Sequence, residues 1–209
     1  MNTKTAYSVT DIDRAAFSRK EVPRADIAIT PWKTYPACYP AYAQLAVSGE
    51  DLHVFLYAKE PHALARATEE NAAVHLDSCL EFFIEPFPGK GYYNFEINPA
   101  GALKVCFGPG RADRERIQTP RPYREYFRIK TTRTEEDWSA AYTIPLSLLF
   151  PDGSVPSQAR ANFYKCGDET ATPHFQCWHP VQAEAPDFHR PECFGTLLFT
   201  APLPPASGC

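Results

Sequence analysis

The 209-residue chain lacks several things that would place it quickly. It has no run of lysines or arginines, and its formal net charge is −4. Nucleic-acid partners usually require a basic patch, so they are excluded as the expected ligand. It has no apolar stretch approaching the roughly 18 residues of a membrane span. Its N-terminus, M-N-T-K-T-A-Y-S-V-T-D-I-D-R, has no apolar signal-peptide core. The chain therefore reads as cytoplasmic as written, or extracytoplasmic if a leader was removed. It has seven cysteines, at 38, 79, 106, 166, 177, 193 and 209, but no C-x-x-C pair. A zinc ribbon or thioredoxin-type motif is thus unsupported, and the thiols inside strand-like runs act as small apolar residues. It has one methionine and no His/Met pair of the kind a haem iron takes. Helical periodicity is scarce throughout.

What is present is alternation. The stretch 77–98, D-S-C-L-E-F-F-I-E-P-F-P-G-K-G-Y-Y-N-F-E-I-N, holds two alternating runs around a Pro/Gly loop. Folding it about that loop pairs Ile84 with Tyr93, Phe82 with Phe95 and Leu80 with Ile97, an apolar face that reads as core. The other face pairs Phe83 with Asn94 and Glu81 with Glu96, and Asn98 ends it. A one-residue slip would exchange the two faces. Carboxylates directly opposite each other repel, so a basic side chain, a shared proton, a cation or a polar ligand must offset them. A solvated sheet face, with both glutamates splayed into water, is the plainer alternative.

Further strands read at 25–30, 44–48, 51–59, 102–108, 126–132, 138–144, 160–165 and 196–200. Residues 145–149 suggest one helical turn and 61–71 one or two more. Arg160 is suited to paired carboxylates, because a guanidinium forks between them, and Asn162 shares its face. The arginine-rich stretch 108–125 reads as a long surface loop, solvated in the plainer reading; its arginines otherwise reach the Glu81/Glu96 face or an anionic partner. About ten to twelve short strands with little helix give an all-β, single-domain antiparallel β-sandwich. Residues 1–24 read as an entry segment, 25–201 as the sandwich and 202–209 as a disordered tail.

Several segments together resemble one family: Asp77-Ser78 with Glu81-Phe82-Phe83, residues 92–98, residues 161–168, and residues 187–195. The chain resembles family 9 carbohydrate-binding modules, in the DOMON-like group of β-sandwiches. The resemblance covers about residues 30–200, and it implies non-catalytic carbohydrate binding linked to carbohydrate catabolism. In such modules two tryptophans sandwich a sugar, and polar side chains from the sheet hold its hydroxyls. Carried over, Glu81, Glu96 and Asn98 match polar contacts, and Trp178 matches the second stacking tryptophan. The first falls near His75, where this chain departs from the pattern. The expected ligand is a mono- or oligosaccharide. No cofactor is expected except calcium, which accompanies some members. The physical reading agrees in kind. Glu81, Asn94, Glu96, Asn98 and Arg160 offer hydroxyl partners, and Trp178 offers an aromatic face.

Two other readings compete. A glycoside hydrolase would use Glu81 and Glu96 as a closely spaced acid and base. A protein-interaction β-sandwich would present the same polar face to a partner.

Overall fold

The computed structural model describes residues 6–11 and 21–199. In chain order the strands are β1 (Ala6–Asp11), β2 (Ala25–Asp26), β3 (Ala41–Ser48), β4 (Asp51–Ala58), β5 (Cys79–Glu85), β6 (Tyr92–Ile97) and β7 (Leu103–Gly108). There follow β8 (Glu115–Arg116), β9 (Lys130–Arg133), β10 (Trp138–Pro145), β11 (Gln158–Gly167), β12 (His174–Cys177) and β13 (Gly195–Phe199). Single helical turns, α1 (Tyr123–Tyr126) and α2 (Leu146–Leu149), and two 3-10 turns at Val74–Leu76 and Pro191–Cys193 complete the elements.

The hydrogen-bonded path runs β8-β7-β6-β5-β11-β13-β1-β3-β4-β10-β9, with β12 on β11 and β2 on β3. It folds back on itself at β1. The first residues of that strand pair with β13, and Thr10 and Asp11 pair with β3, both in parallel. Two facing layers result. Leu80, Phe82, Ile84 and Phe95 from one meet Leu45, Val54, Leu56 and Tyr142 from the other in one apolar core. The rings of Phe95 and Tyr142 lie 6.1 Å apart across it.

The hairpin expectation holds in detail. Leu80 faces Ile97, Phe82 faces Phe95, Ile84 faces Tyr93 and Glu81 faces Glu96. Gly89 and Gly91 in the connecting loop take positive φ, which a side chain would resist. The 48–51 hairpin and the turn at 146–149 also stand where the alternation puts them. Other expectations shift. Residues 61–71 contain no helix. The expected strand at 126–132 begins at Lys130, because α1 ends at Tyr126 and the turn after it, with Arg128 at positive φ, takes the residues between. The segment read as an entry arm carries β1, which bonds to both layers. The tail at 202–209 lies outside the described residues.

A charged group is built into the end of the core. Lys165, on the inward side of β11, is fully buried and lies 3.0 Å from the Glu60 carboxylate. Glu60 also accepts hydrogen bonds from Ser78 Oγ at 2.7 Å and Trp138 Nε1 at 2.9 Å. Burial works against its charge, yet Lys165, Ser78 and Trp138 together hold its carboxyl below the usual range. Lys165 Nζ further donates to Cys166 O and lies 2.5 Å from His174 Nε2. Every donor of the ammonium is thereby used.

Candidate functional site

The polar face of the hairpin looks outward from the β5/β6 layer, away from the core. Strand register sets its chemistry. Glu96 has Glu81 as its neighbour on β5 and Lys104 on β7. Lys104 Nζ lies 3.2 Å from Glu96 Oε2, and Arg114 Nη1 lies 3.8 Å from Oε1. Asn94 Nδ2 donates to the same Oε1 at 2.9 Å, while its own oxygen accepts from Arg114 Nη1 at 2.7 Å. Two cations and an amide thus answer Glu96.

Glu81 is handled differently. The Cys166 thiol donates to its Oε1 at 3.2 Å. Burial, with the Glu96 carboxylate beside it, pushes the Glu81 carboxyl up to about 8. Around neutral pH one glutamate is therefore paired with cations and the other largely holds its proton. The repulsion expected between them is removed by two of the four offered routes.

Above this floor lies an open cavity of about 80 Å³. Glu81, Glu96, Lys104 and Arg114 line it from below, and His75 and Asp168 from one side. The Asp168 N–H donates to the His75 carbonyl at 3.1 Å, which ties that wall to the end of β11. The remaining wall is the loop 178–194 with the nearby Phe175 of β12. Phe175 pairs with Cys166 in register, so its ring faces the cavity side. Phe188 stacks on Tyr164 with ring centroids 4.1 Å apart. Trp32 and Tyr35 pack against Phe175 at 5.9 and 4.8 Å, so these two rings brace the wall from behind.

His189 completes the wall. Its Nδ1 lies 2.9 Å from the Tyr92 hydroxyl, and its ring leans on Phe83. Burial, reinforced by Arg114 and Arg111, pushes it down to about 2, so the imidazole is neutral. Arg111 stands at the rim, with 63 % of its side chain exposed, 3.7 Å from Asp187.

The expected site residues divide into two groups. His75, Glu81 and Glu96 line the cavity, and Asn94 sits among the groups that hold Glu96. The others lie elsewhere. Asn98 is spent on Asp77, the Ala67 carbonyl and the Ala102 N–H. Asn162 is spent on both backbone groups of His179. Arg160 answers Glu85, not the Glu81/Glu96 pair, because β11 places it opposite Glu85. Trp178 is a correction: it is 7 % exposed in the core, with its ring 5.5 Å from Phe163 and 6.5 Å from Tyr7. Its backbone N–H donates to the Phe163 carbonyl at 2.9 Å, and its indole points inward against Gly195, away from the cavity.

Sequence reasoning missed Lys104, Asp168, Phe175, Phe188 and His189. Lys104 was within reach of it, since extending the hairpin alternation to the next strand places Lys104 opposite Glu96. Among the described residues one group of three His, Cys, Asp or Glu donors comes together, namely Cys79, Glu81 and Cys166. Its two sulfurs do not suit calcium, which takes oxygen ligands.

The sequence profile of carbohydrate-binding family 9 matches residues 11–199. The chain belongs to carbohydrate-binding family 9. Solved structures agree. A Bacteroides uniformis ATCC 8492 protein, provisionally described as carbohydrate-binding, is 30% identical with a TM-score of 0.78, over 93% of this chain and 98% of that one. A family 9 module from Caldicellulosiruptor kristjanssonii in complex with glucose is 14% identical with a TM-score of 0.63, over 93% and 95% of the two chains. A family 9 module from the same organism in complex with cellotriose is 12% identical with a TM-score of 0.61, over 93% of each chain. No curated protein matches the sequence. Within family 9, the present chain keeps the sandwich and has a histidine, His75, and a phenylalanine, Phe175, in the cavity wall.

Proposed function

We propose that this family 9 domain binds a saccharide, without catalysis, in the cavity over Glu81 and Glu96. The observation that carries the reading is the mixed floor of that cavity. Glu96 accepts hydrogen bonds, protonated Glu81 donates one, and Lys104 and Arg114 donate several. A sugar's hydroxyl rim needs donors and acceptors side by side, and charged partners make the stronger bonds. The rings of Phe175 and Phe188 offer dispersion contact to its C–H face. A cavity of about 80 Å³ holds several water-sized groups, which suits the hydroxyl edge of one ring.

The hydrolase reading is less well supported. Both carboxyls rise from the same side of one sheet, so they do not flank a bond laid between them. Glu96 is also already held by two cations.

Calorimetric titration with a panel of mono- and disaccharides, with and without calcium, tests the proposal. Saturable heat that weakens in Glu96→Gln supports it. No heat with any sugar refutes it and favours the protein-interaction reading. Turnover of an aryl glycoside would instead restore the hydrolase.

A further inference from the structure

The two thiols beneath the cavity are not explained by sugar binding. Cys79 on β5 and Cys166 on β11 are direct partners in the antiparallel register. Both side chains project to the outward face, next to Glu81, and all three residues are buried. Their donor atoms, two sulfurs and a carboxylate oxygen, lie within 4.8 Å of one another. Cys166 Sγ is already 3.2 Å from Glu81 Oε1. The two thiols also hydrogen-bond each other, and the sulfurs make long contacts to carbonyls, 3.8 Å from Cys79 to Leu80 O and 3.9 Å from Cys166 to His75 O.

We propose that Cys79, Glu81 and Cys166 form a binding site for a thiophilic divalent metal ion, zinc by its donor set, in the floor of the cavity. Zinc takes sulfur at about 2.3 Å and carboxylate oxygen at about 2.0–2.2 Å. Tetrahedral geometry then sets donor separations of roughly 3.5–3.8 Å. A cluster already within 4.8 Å reaches that by closing about an ångström, which is a side-chain adjustment. Two thiolates exclude calcium and magnesium as the preferred ion and favour zinc.

Glu81 and Cys166 line the cavity and Cys79 does not, so the three donors converge from below. The cavity side is left for a fourth ligand, a water or a hydroxyl. On binding, each thiol and the Glu81 carboxyl lose a proton to solvent, and each sulfur and one Glu81 oxygen gain a bond to the metal. Two thiolates and one carboxylate around a dication leave one negative charge, and Lys104 lines the same cavity to meet it. The site is distinct in kind from a reactive cysteine. Burial pushes the Cys79 thiol up to about 12, and the hydrogen bond with Cys79 together with burial raises Cys166 well above its usual range, so little thiolate is present at either sulfur until a metal displaces the proton.

Cadmium is the probe, because cadmium–thiolate bonds absorb in the ultraviolet where free cadmium does not. The full chain is titrated with cadmium, and zinc is then used as competitor. The background carries Cys38→Ser, Cys193→Ser and Cys209→Ser, which leaves the buried pair untouched. The expected result is a band saturating at one cadmium per chain in this background, reversed by zinc. Cys79→Ala abolishes the band, and Glu81→Gln weakens binding at least tenfold. A background variant that shows no band overturns the proposal, whether or not the buried-cysteine variants fold. So does a folded Cys79→Ala protein that keeps the full band.

Discussion

Replacing Lys165 with methionine removes the cation that faces Glu60 while preserving most of the buried volume. Breaking a buried pair from one side typically costs about 3–5 kcal/mol, because the remaining charge is uncompensated. Glu60 keeps its hydrogen bonds from Ser78 and Trp138, and it has an escape: it can take up a proton. That escape caps the cost at about 1.4 kcal/mol for each pH unit above the ordinary carboxyl value of 4.5. At pH 7 the cap is about 3.4 kcal/mol, and at pH 5 about 0.7 kcal/mol. Urea unfolding should therefore show Lys165→Met to be about 3 kcal/mol less stable than the parent at pH 7. For a domain of this size that corresponds to a Tm lower by roughly 6–12 °C. The deficit should shrink to under about 1 kcal/mol at pH 5. Adding Glu60→Gln should recover most of the loss at pH 7, since no buried charge then remains. A deficit below about 1 kcal/mol at pH 7, or one that does not narrow on acidification, refutes the reasoning.

Three further expectations follow from the packing and the histidines. Trp178→Ala should cost about 3–5 kcal/mol of stability, the usual range for emptying a large aromatic site. Phe175→Ala should instead lower sugar affinity at near-parent stability; the reverse pattern in paired urea and calorimetric titrations would return Trp178 to the site. Gly195→Ala places a Cβ 2.7 Å from Trp178 Cζ3 and should cost about 1–3 kcal/mol. A change below about 0.5 kcal/mol would mean that the indole has room to move. His174, held down to about 4 by burial and by Lys165, and His189, held to about 2, are neutral when folded. Unfolding lets both take protons below their ordinary 6.5, so stability is complete above that pH. It should fall as the pH drops from 6.5 toward 4, by up to about 1.4 kcal/mol per unit for each histidine. A profile in which His174→Asn leaves that slope unchanged would contradict the assignment.

The hairpins were readable because their information is local. Alternation assigns each residue a face, and a short turn fixes the register, so the Glu81/Glu96 pairing followed from residues 77–98 alone. The same parity puts Lys165 on the face of Ala161 and Phe163, but its partner Glu60 lies far along the chain and no period connects them. Arg160 shows the limit most clearly. Its face was legible, whereas the register of β11 against β5, which sends it to Glu85, is a long-range match. Phe188 and His189 sit in a loop with no repeat to read. Trp178 was matched to a stacking tryptophan through the family resemblance, yet its ring packs into the core against Phe163 and Tyr7, and Phe175 takes the cavity side.

The place of β13 in the sheet has a consequence for synthesis. This strand lies mid-path, bonded to β11 on one side and to β1 on the other. Until residues 195–199 leave the ribosome, one side of β11 and one side of β1 have open hydrogen-bonding edges. Such edges invite pairing with other chains. The nascent chain thus holds two incomplete half-sheets until the strand that joins them, the last of the described strands, has emerged. A chaperone that shields strand edges would act on this domain late, and a truncation just before Gly195 should aggregate more readily than the 209-residue chain.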